Sequence, residues 1–238
     1  VNAERRSIRS YVLRAGRITE AQKRALAELL PRYGIPYAPG PVDLDTAFGR
    51  RAPRVLEIGI GNGDTLVELA AAMPEADFIG AEVHPPGIGH CLLAVEARGL
   101  ANVRVVAHDA VELLEHMIPP GALDEVLLYF PDPWPKKRHH KRRIVQPAFV
   151  ALVASRLTPG GRFRLATDWE PYAAWMLEML SASPDFTNAA PGGGCIERPE
   201  RGATRFERRG RRLGHRVFDL EFVKKGTHPF SGHDPADP

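Results

Sequence analysis

RVLEIGIGNGDTLVELAAAM, residues 54–73, decides the fold. It opens at Arg54 as a short, mostly apolar run, the pattern of a strand buried on both faces. Gly59, Gly61 and Gly63 interrupt it, and Asp64 to Met73 reads as a helix. The glycines let the backbone turn tightly and approach a ligand. Their spacing is not the dinucleotide fingerprint G-x-G-x-x-G, because the third glycine comes one residue early. Glu57 precedes the loop and Asp64 follows it. A carboxylate on each side disfavours a pyrophosphate and favours a cation.

Outward from this unit, strand and helix alternate. DFIGAEV (77–83), VRVVAHD (103–109), LDEVLLYF (123–130) and GRFRLATDW (161–169) read as strands. GIGHCLLAVEARG (87–99), AVELLEHM (110–117), RRIVQPAFVALVASRL (142–157) and EPYAAWMLEMLSAS (170–183) read as helices, with Pro147 tolerable only near the start of its helix. HRVFDLEFVKK (215–225) closes the chain as a strand of β-branched and aromatic residues. The expected fold is α/β: a doubly wound, mostly parallel, Rossmann-like sheet with an antiparallel C-terminal strand. Upstream, residues 17–35 predict a helix capped by Thr19, running to Leu30 and stopped by Pro31. Residues 36–53 are Pro/Gly-rich and predict a linker. Residues 1–50 are therefore expected as a basic arm, helix and linker, and 51–238 as the main domain.

With 44% hydrophobic and 26% charged residues, the 238-residue chain is of ordinary globular composition, and its length suits one large domain. No apolar run reaches the length of a membrane span, and the Arg-rich N-terminus lacks the apolar core of a secretory signal. Cys91 and Cys195 are far apart, fit no ligand spacing and read as free thiols in a reducing compartment. A cytoplasmic protein without a metal is expected, with monomer and homodimer both open. Net charge is only +3, but it is unevenly placed. Residues 1–24 carry +5, residues 136–143 carry +6 and residues 198–216 carry +6, which leaves the remainder at −14. An acidic body with three basic segments reads as a binder of polyanions, and of nucleic acid in particular.

Parallel sheets of this kind bind ligands outside the carboxyl ends of their strands. Each of the first four strands ends at or near an acid: Glu57, Glu82, Asp109 and Asp132. Converging carboxylates repel each other unless a cation, a ribose and an amine occupy the site. S-adenosylmethionine carries a sulfonium, an amino group, a ribose and an adenine, and fits better than NAD. The fourth strand runs into LLYFPDPWPKKRHHKRRI, residues 127–144. Pro131, Pro133 and Pro135 stiffen the corner around Asp132. Trp134 either packs under this loop or stacks on a base. The block that follows, with Arg138, His139, His140, Lys141, Arg142 and Arg143, is placed to track phosphates.

Taken together, LEIGIGNG, GAEVHPPGIGHCL, HDA, YFPDPWPKKRHHKRRIVQP, TPGGRFRLATDW and TRFE resemble the tRNA (guanine-N7)-methyltransferase family, from about Arg9 to Phe222. The PDPW-plus-basic block and TRFE are specific to that family; the glycine loop alone indicates only class I methyltransferases. The proline spacing at Pro86 and Pro135 is the one departure noted. The resemblance implies S-adenosyl-L-methionine as donor and the variable-loop guanosine of tRNA as target. It implies cofactor contacts at Glu57, Gly59, Glu82, Asp109, Ala110 and Asp132, and substrate contacts at Lys136, Asp168, Thr204, Arg205, Phe206 and Glu207. Guanine N7 has a free lone pair, so positioning and electrostatics, not proton removal, are expected to carry catalysis. Asp132 is the expected catalytic residue, either accepting from the guanine N1–H and amine or stabilising the developing cation. Asp168 is placed to share that task, Glu207 to read the guanine edge, and Arg205 to hold phosphate. Helix capping is the structural alternative for Asp132 and Asp168. Three other readings stay open: a methyltransferase on another RNA or a small molecule, a catalytically silent tRNA-binding protein, and an NAD-dependent oxidoreductase disfavoured by the glycine spacing.

Overall fold

The alternation becomes a seven-stranded sheet in a computed structural model that describes residues 9–12, 16–199, 207, 214 and 216–226. The strands are β1 (Arg54–Ile58), β2 (Asp77–Ala81), β3 (Val103–Val106), β4 (Leu123–Tyr129), β5 (Leu157–Thr167), β6 (Phe186–Asn188) and β7 (Phe218–Lys224), in the order β3-β2-β1-β4-β5-β7-β6. The first five pair in parallel, and β7 runs antiparallel to both β5 and β6. The expected fold class, including its antiparallel C-terminal strand, is what the chain adopts.

Side chains alternate along each strand, so each face has its own core. On β4, Val126 and Leu128 join Leu56, Ile58, Phe163 and Leu165 on one face, while Leu127 and Tyr129 join Val55, Phe78 and Val105 on the other. The first core is covered by α6 (Ala110–His116), α7 (Pro147–Arg156) and α8 (Glu170–Ser181). The second is covered by α1 (Glu20–Glu28), α4 (Asp64–Ala72) and α5 (Pro85–Ala97). The sheet order turns in opposite directions from β1 to β2 and from β1 to β4, which opens a crevice at the carboxyl ends of those strands.

Three local expectations are corrected, and one short strand was not foreseen. The Thr19 cap forms as a full capping box with Gln22, but α1 ends at Glu28 and α2 (Leu30–Tyr33) follows with Pro31 in its first turn, where no N–H is needed. The linker contains α3 (Leu44–Phe48), capped by Asp43, and its Leu44 enters the core. The helix expected from residue 142 starts instead at Pro147. Proline suits that first turn, and the preceding Val145 is fully buried in an irregular segment. The three-residue strand β6 is too short to carry a sequence signal.

Candidate active site

The loop after β1 holds Gly59, Gly61 and Gly63 at φ values of 74°, 56° and 80°, a left-handed conformation that glycine adopts without a Cβ penalty. A Cβ on Gly63 would collide with Cys91 on α5, whereas Gly59 and Gly61 face open space that a ligand can fill. Glu82, just beyond β2, ties this loop down. Its carboxylate accepts from the backbone N–H of Gly61 (2.9 Å), Val83 (2.7 Å) and His84 (3.0 Å). Glu57 lies deeper, 3% exposed. Burial, then the charges of Glu57 and Asp64, push the Cys91 thiol up to about 12, so this cysteine stays protonated.

Asp109, beyond β3, is the N-cap of α6 and accepts from Val111 N–H (2.7 Å) and Glu112 N–H (3.4 Å). The Tyr11 hydroxyl is hydrogen-bonded to it, and burial together with the Asp109 charge raises the Tyr11 pKa. Next to it, His108 is gripped from two sides: its Nε2 meets Glu112 at 2.5 Å, and its ring stacks on Tyr37 with centroids 3.5 Å apart.

The corner after β4 is strained. Phe130 (φ 52°) and Trp134 (φ 43°) both take positive φ, which bulky side chains rarely adopt, and they bracket Asp132. Hydrogen bonds from several sides hold the corner. Phe130 N–H donates to Ala166 O (2.8 Å), Trp134 Nε1–H donates to Ser10 O (2.9 Å), and Arg143 Nε–H donates to Pro133 O (2.9 Å). Trp134 therefore packs under the loop, with the Arg142 guanidinium 3.9 Å from its ring centroid. The basic block forms a 3-10 helix over Lys137–Arg142.

One pocket gathers five of the expected cofactor residues, Gly59, Glu82, Asp109, Ala110 and Asp132, against the apolar Ile58, Leu128 and Ile144. It mixes open space above glycine backbone, carboxylates and an apolar floor, which suits a nucleoside-bearing cation such as S-adenosylmethionine. Glu57 sits behind it. Ser10, Tyr11 and His108 also line the pocket, and the sequence reading missed all three. His108 had a signal, its place beside Asp109 in AHDA; Ser10 and Tyr11 had none, because a distant tryptophan brings them there.

Of the expected substrate residues, Lys136, Asp168 and Glu207 are among those described. Asp132 is exposed at the pocket rim, and Lys136, Lys137, Arg138 and Lys141 are exposed beside it. Asp168 follows β5, partly exposed; the N-cap of α8 is Trp169, so Asp168 does not take the capping alternative. Thr204, Arg205 and Phe206 lie outside the described residues. Glu207 is 0% exposed, and its carboxylate takes the Arg198 guanidinium at 2.7 Å. Within the basic block, Arg142 is half-buried and donates to the Arg9 carbonyl (3.3 Å) and the Tyr11 carbonyl (3.4 Å). His139 and His140 are half-buried against Trp134 and Trp175. Burial, then the surrounding Arg138 and Arg142 charges, lowers the His139 pKa. Arg143, by contrast, is buried, 3% exposed.

Comparison with known proteins agrees with this geometry. A family model described as “Putative methyltransferase” matches residues 51–220. Among solved structures, the 16S rRNA methyltransferase KamB aligns with a TM-score of 0.55 at 17% identity, over 77% of this chain and 93% of that one. A SAM-dependent O-methyltransferase from Thermotoga maritima aligns with a TM-score of 0.51 at 14% identity, over 88% of this chain and 73% of that one. At such identities the likeness concerns the fold alone. In sequence, a tRNA (guanine-N(7)-)-methyltransferase of Alkalilimnicola ehrlichii is 57% identical over 94% of this chain and 95% of its own length. The protein of the same name from Methylococcus capsulatus is 59% identical over 91% of this chain and 94% of its own. With that identity along nearly the whole of both chains, this chain belongs to the tRNA (guanine-N(7)-)-methyltransferase family.

Proposed function

We propose that this chain transfers the methyl group of S-adenosyl-L-methionine to N7 of the variable-loop guanosine of tRNA. As a member of its family it is a tRNA (guanine-N7-)-methyltransferase, and S-adenosyl-L-methionine is its cofactor. The variable-loop position follows from the resemblance of its motifs. The observation that carries the residue-level reading is Asp132, exposed at the rim of the cofactor pocket with four exposed cations beside it.

The bound cofactor supplies an electrophilic methyl group on a sulfonium. Gly59, Glu82, Asp109 and Ala110 hold its nucleoside part, and Glu57 adds negative charge beneath the glycine loop. Asp132 offsets the positive charge that the base acquires as N7 is methylated. No base is required, because N7 carries no proton. Lys136, Lys137, Arg138 and Lys141 take the neighbouring phosphates, with His139 and His140 behind them. Asp168, Thr204, Arg205, Phe206 and Glu207 complete the substrate side, with Arg205 holding phosphate and Glu207 reading the guanine edge.

We divide the chain into an arm, helix and linker over 1–50 and a catalytic domain over 51–238, the arm closing the cofactor pocket with Ser10 and Tyr11. Among the described residues no helix is long and apolar enough to cross a membrane. We place the reaction in the cytoplasm, by a monomer or homodimer. The test is transfer of a labelled methyl group from S-adenosylmethionine to bulk tRNA, followed by nucleoside analysis and mapping. Label in 7-methylguanosine of the variable loop supports the reading; label in another nucleoside or region, or none, overturns it.

A further inference from the structure

Arg143 closes a block of eight residues, KKRHHKRR, that holds six Lys and Arg, yet it does not share the block's environment. Lys136, Lys137, Arg138 and Lys141 are exposed; Arg143 is 3% exposed. Taking a guanidinium out of water is unfavourable unless its new partners compensate. Those partners are specific. Its Nε–H donates to the carbonyl of Pro133, the residue after Asp132, at 2.9 Å. Its guanidinium carbon lies 4.9 Å from the Tyr172 ring centroid and 5.3 Å from that of Trp175, both on α8. Neighbouring bonds keep this arrangement fixed. Trp175 Nε1–H donates to Val145 O (2.7 Å), and the Gln146 side-chain amide donates to Arg143 O (3.2 Å) and His140 O (2.9 Å).

The carbonyl that Arg143 holds lies in the strained segment. Positive φ at Phe130 and Trp134 persists only where surrounding structure imposes it. Pro131 and Pro133 have no N–H, so this corner has few backbone donors with which to anchor itself. α8 also begins directly after Asp168 and Trp169. A guanidinium bridging Pro133 O and the α8 aromatics therefore couples the Asp132 corner to the end of β5. Burial, and among further causes the charge of Asp132, raises the Tyr172 pKa, which places the Asp132 carboxylate within electrostatic reach of the same buried patch.

We infer that Arg143 is a positioning residue for methyl transfer: it does not bind phosphate, but holds Asp132 in its reactive place by bracing the Pro133 carbonyl against α8. This rests on the reading of Asp132 given above. It separates one arginine from its block by function: its neighbours set affinity for tRNA, and Arg143 sets the rate.

The experiment is a mutant cycle of wild type, Arg143→Lys, Asp132→Asn and the double variant. Single-turnover methylation of tRNA is measured with both ligands saturating. Thermal stability and the salt dependence of tRNA binding are measured alongside. Lysine keeps the charge but loses the planar donor and the ring contacts. Arg143→Lys is expected to slow turnover about tenfold or more, the order for a hydrogen bond from a charged group, with tRNA affinity and salt slope unchanged. In the Asp132→Asn background the same change is expected to slow it less than about twofold, because residues acting as a unit are not additive. Equal slowing in both backgrounds would make Arg143 a general structural residue and overturn the inference. Weaker tRNA binding with a shallower salt slope would make it a phosphate ligand and also overturn it. A wild-type rate for Asp132→Asn would overturn the underlying site reading, and the inference with it. Should Arg143→Lys fail to fold, Trp175→Phe takes its place in the cycle. It keeps a ring against the guanidinium but loses the bond to Val145 O, so a smaller, equally non-additive slowing is expected, and additive slowing or none contradicts the inference.

Discussion

Trp134 donates its indole N–H to the carbonyl oxygen of Ser10 at 2.9 Å, across 124 residues of chain. This bond lays the segment that begins at Arg9 along the rim of the cofactor pocket, where Ser10 and Tyr11 form part of the wall. Trp134→Phe keeps a ring for Arg142 and removes only the donor. Affinity for S-adenosylhomocysteine, measured by titration calorimetry, should fall about two- to tenfold, as expected for one net hydrogen bond. Unchanged affinity would show that the segment does not help to close the site.

Gly87, in the first turn of α5, faces the glycine loop. A Cβ there would fall within forbidden distance of the Gly61 carbonyl oxygen. By helix propensity alone, Gly87→Ala should stabilise the protein by about 1 kcal/mol. The clash is with backbone, so the loop must move, at an overpacking cost of about 1–3 kcal/mol. The expected outcome is a lower melting temperature together with weaker cofactor binding. A stabilised variant with unchanged affinity would contradict the packing of α5 on this loop.

The fold and the gathering of the strand-end acids around one pocket were legible because they depend on local signals. Apolar runs that end in Glu82, Asp109 and Asp132 mark both strands and site, since parallel strands present their carboxyl ends to one crevice. Arg143 was not legible. A run of cations predicts a solvated or phosphate-bound face, and only the aromatic residues of α8, some 30 positions later, turn this one inward. Tyr11 at Asp109 and Arg198 at Glu207 are likewise matters of tertiary partnership, with no periodicity to reveal them. The start of the helix at Pro147 was misjudged because KRRIVQ has ordinary helical composition; burial of Val145 and Arg143 in an irregular segment overrides it.

Arg138 and Lys141, two of the exposed cations of the basic block, should each contribute one phosphate contact. Replacing both with Ala should lower the slope of log affinity for tRNA against log salt by roughly 1.5–2 units. Cofactor affinity should not change. A slope equal to that of the wild type would mean that this face meets only solvent.

Thiol titration tests the core beneath the site. Cys91 is fully buried against Gly63, and its thiol is pushed up to about 12, whereas Cys195 is exposed. The native protein should therefore release one equivalent of chromophore from a disulfide reagent at pH 8, and the second only on unfolding. Partial desolvation by its neighbours nonetheless raises the Cys195 pKa, so its reaction should be slower than that of a free thiol. Two fast equivalents would show that α5 is not packed against the glycine loop.

We propose that Asp132 acts by charge and position at the point of methyl transfer. Asp132→Asn keeps the shape of the side chain and removes its charge. The measurement is single-turnover methylation of tRNA by this variant with S-adenosylmethionine and tRNA both saturating. The rate should drop by about a hundredfold, comparable to the loss of one preorganised stabilising group, while tRNA affinity holds because phosphate contacts lie in the adjacent block. A rate within about twofold of the wild type, on the scale of that expected loss, would remove Asp132 from the mechanism.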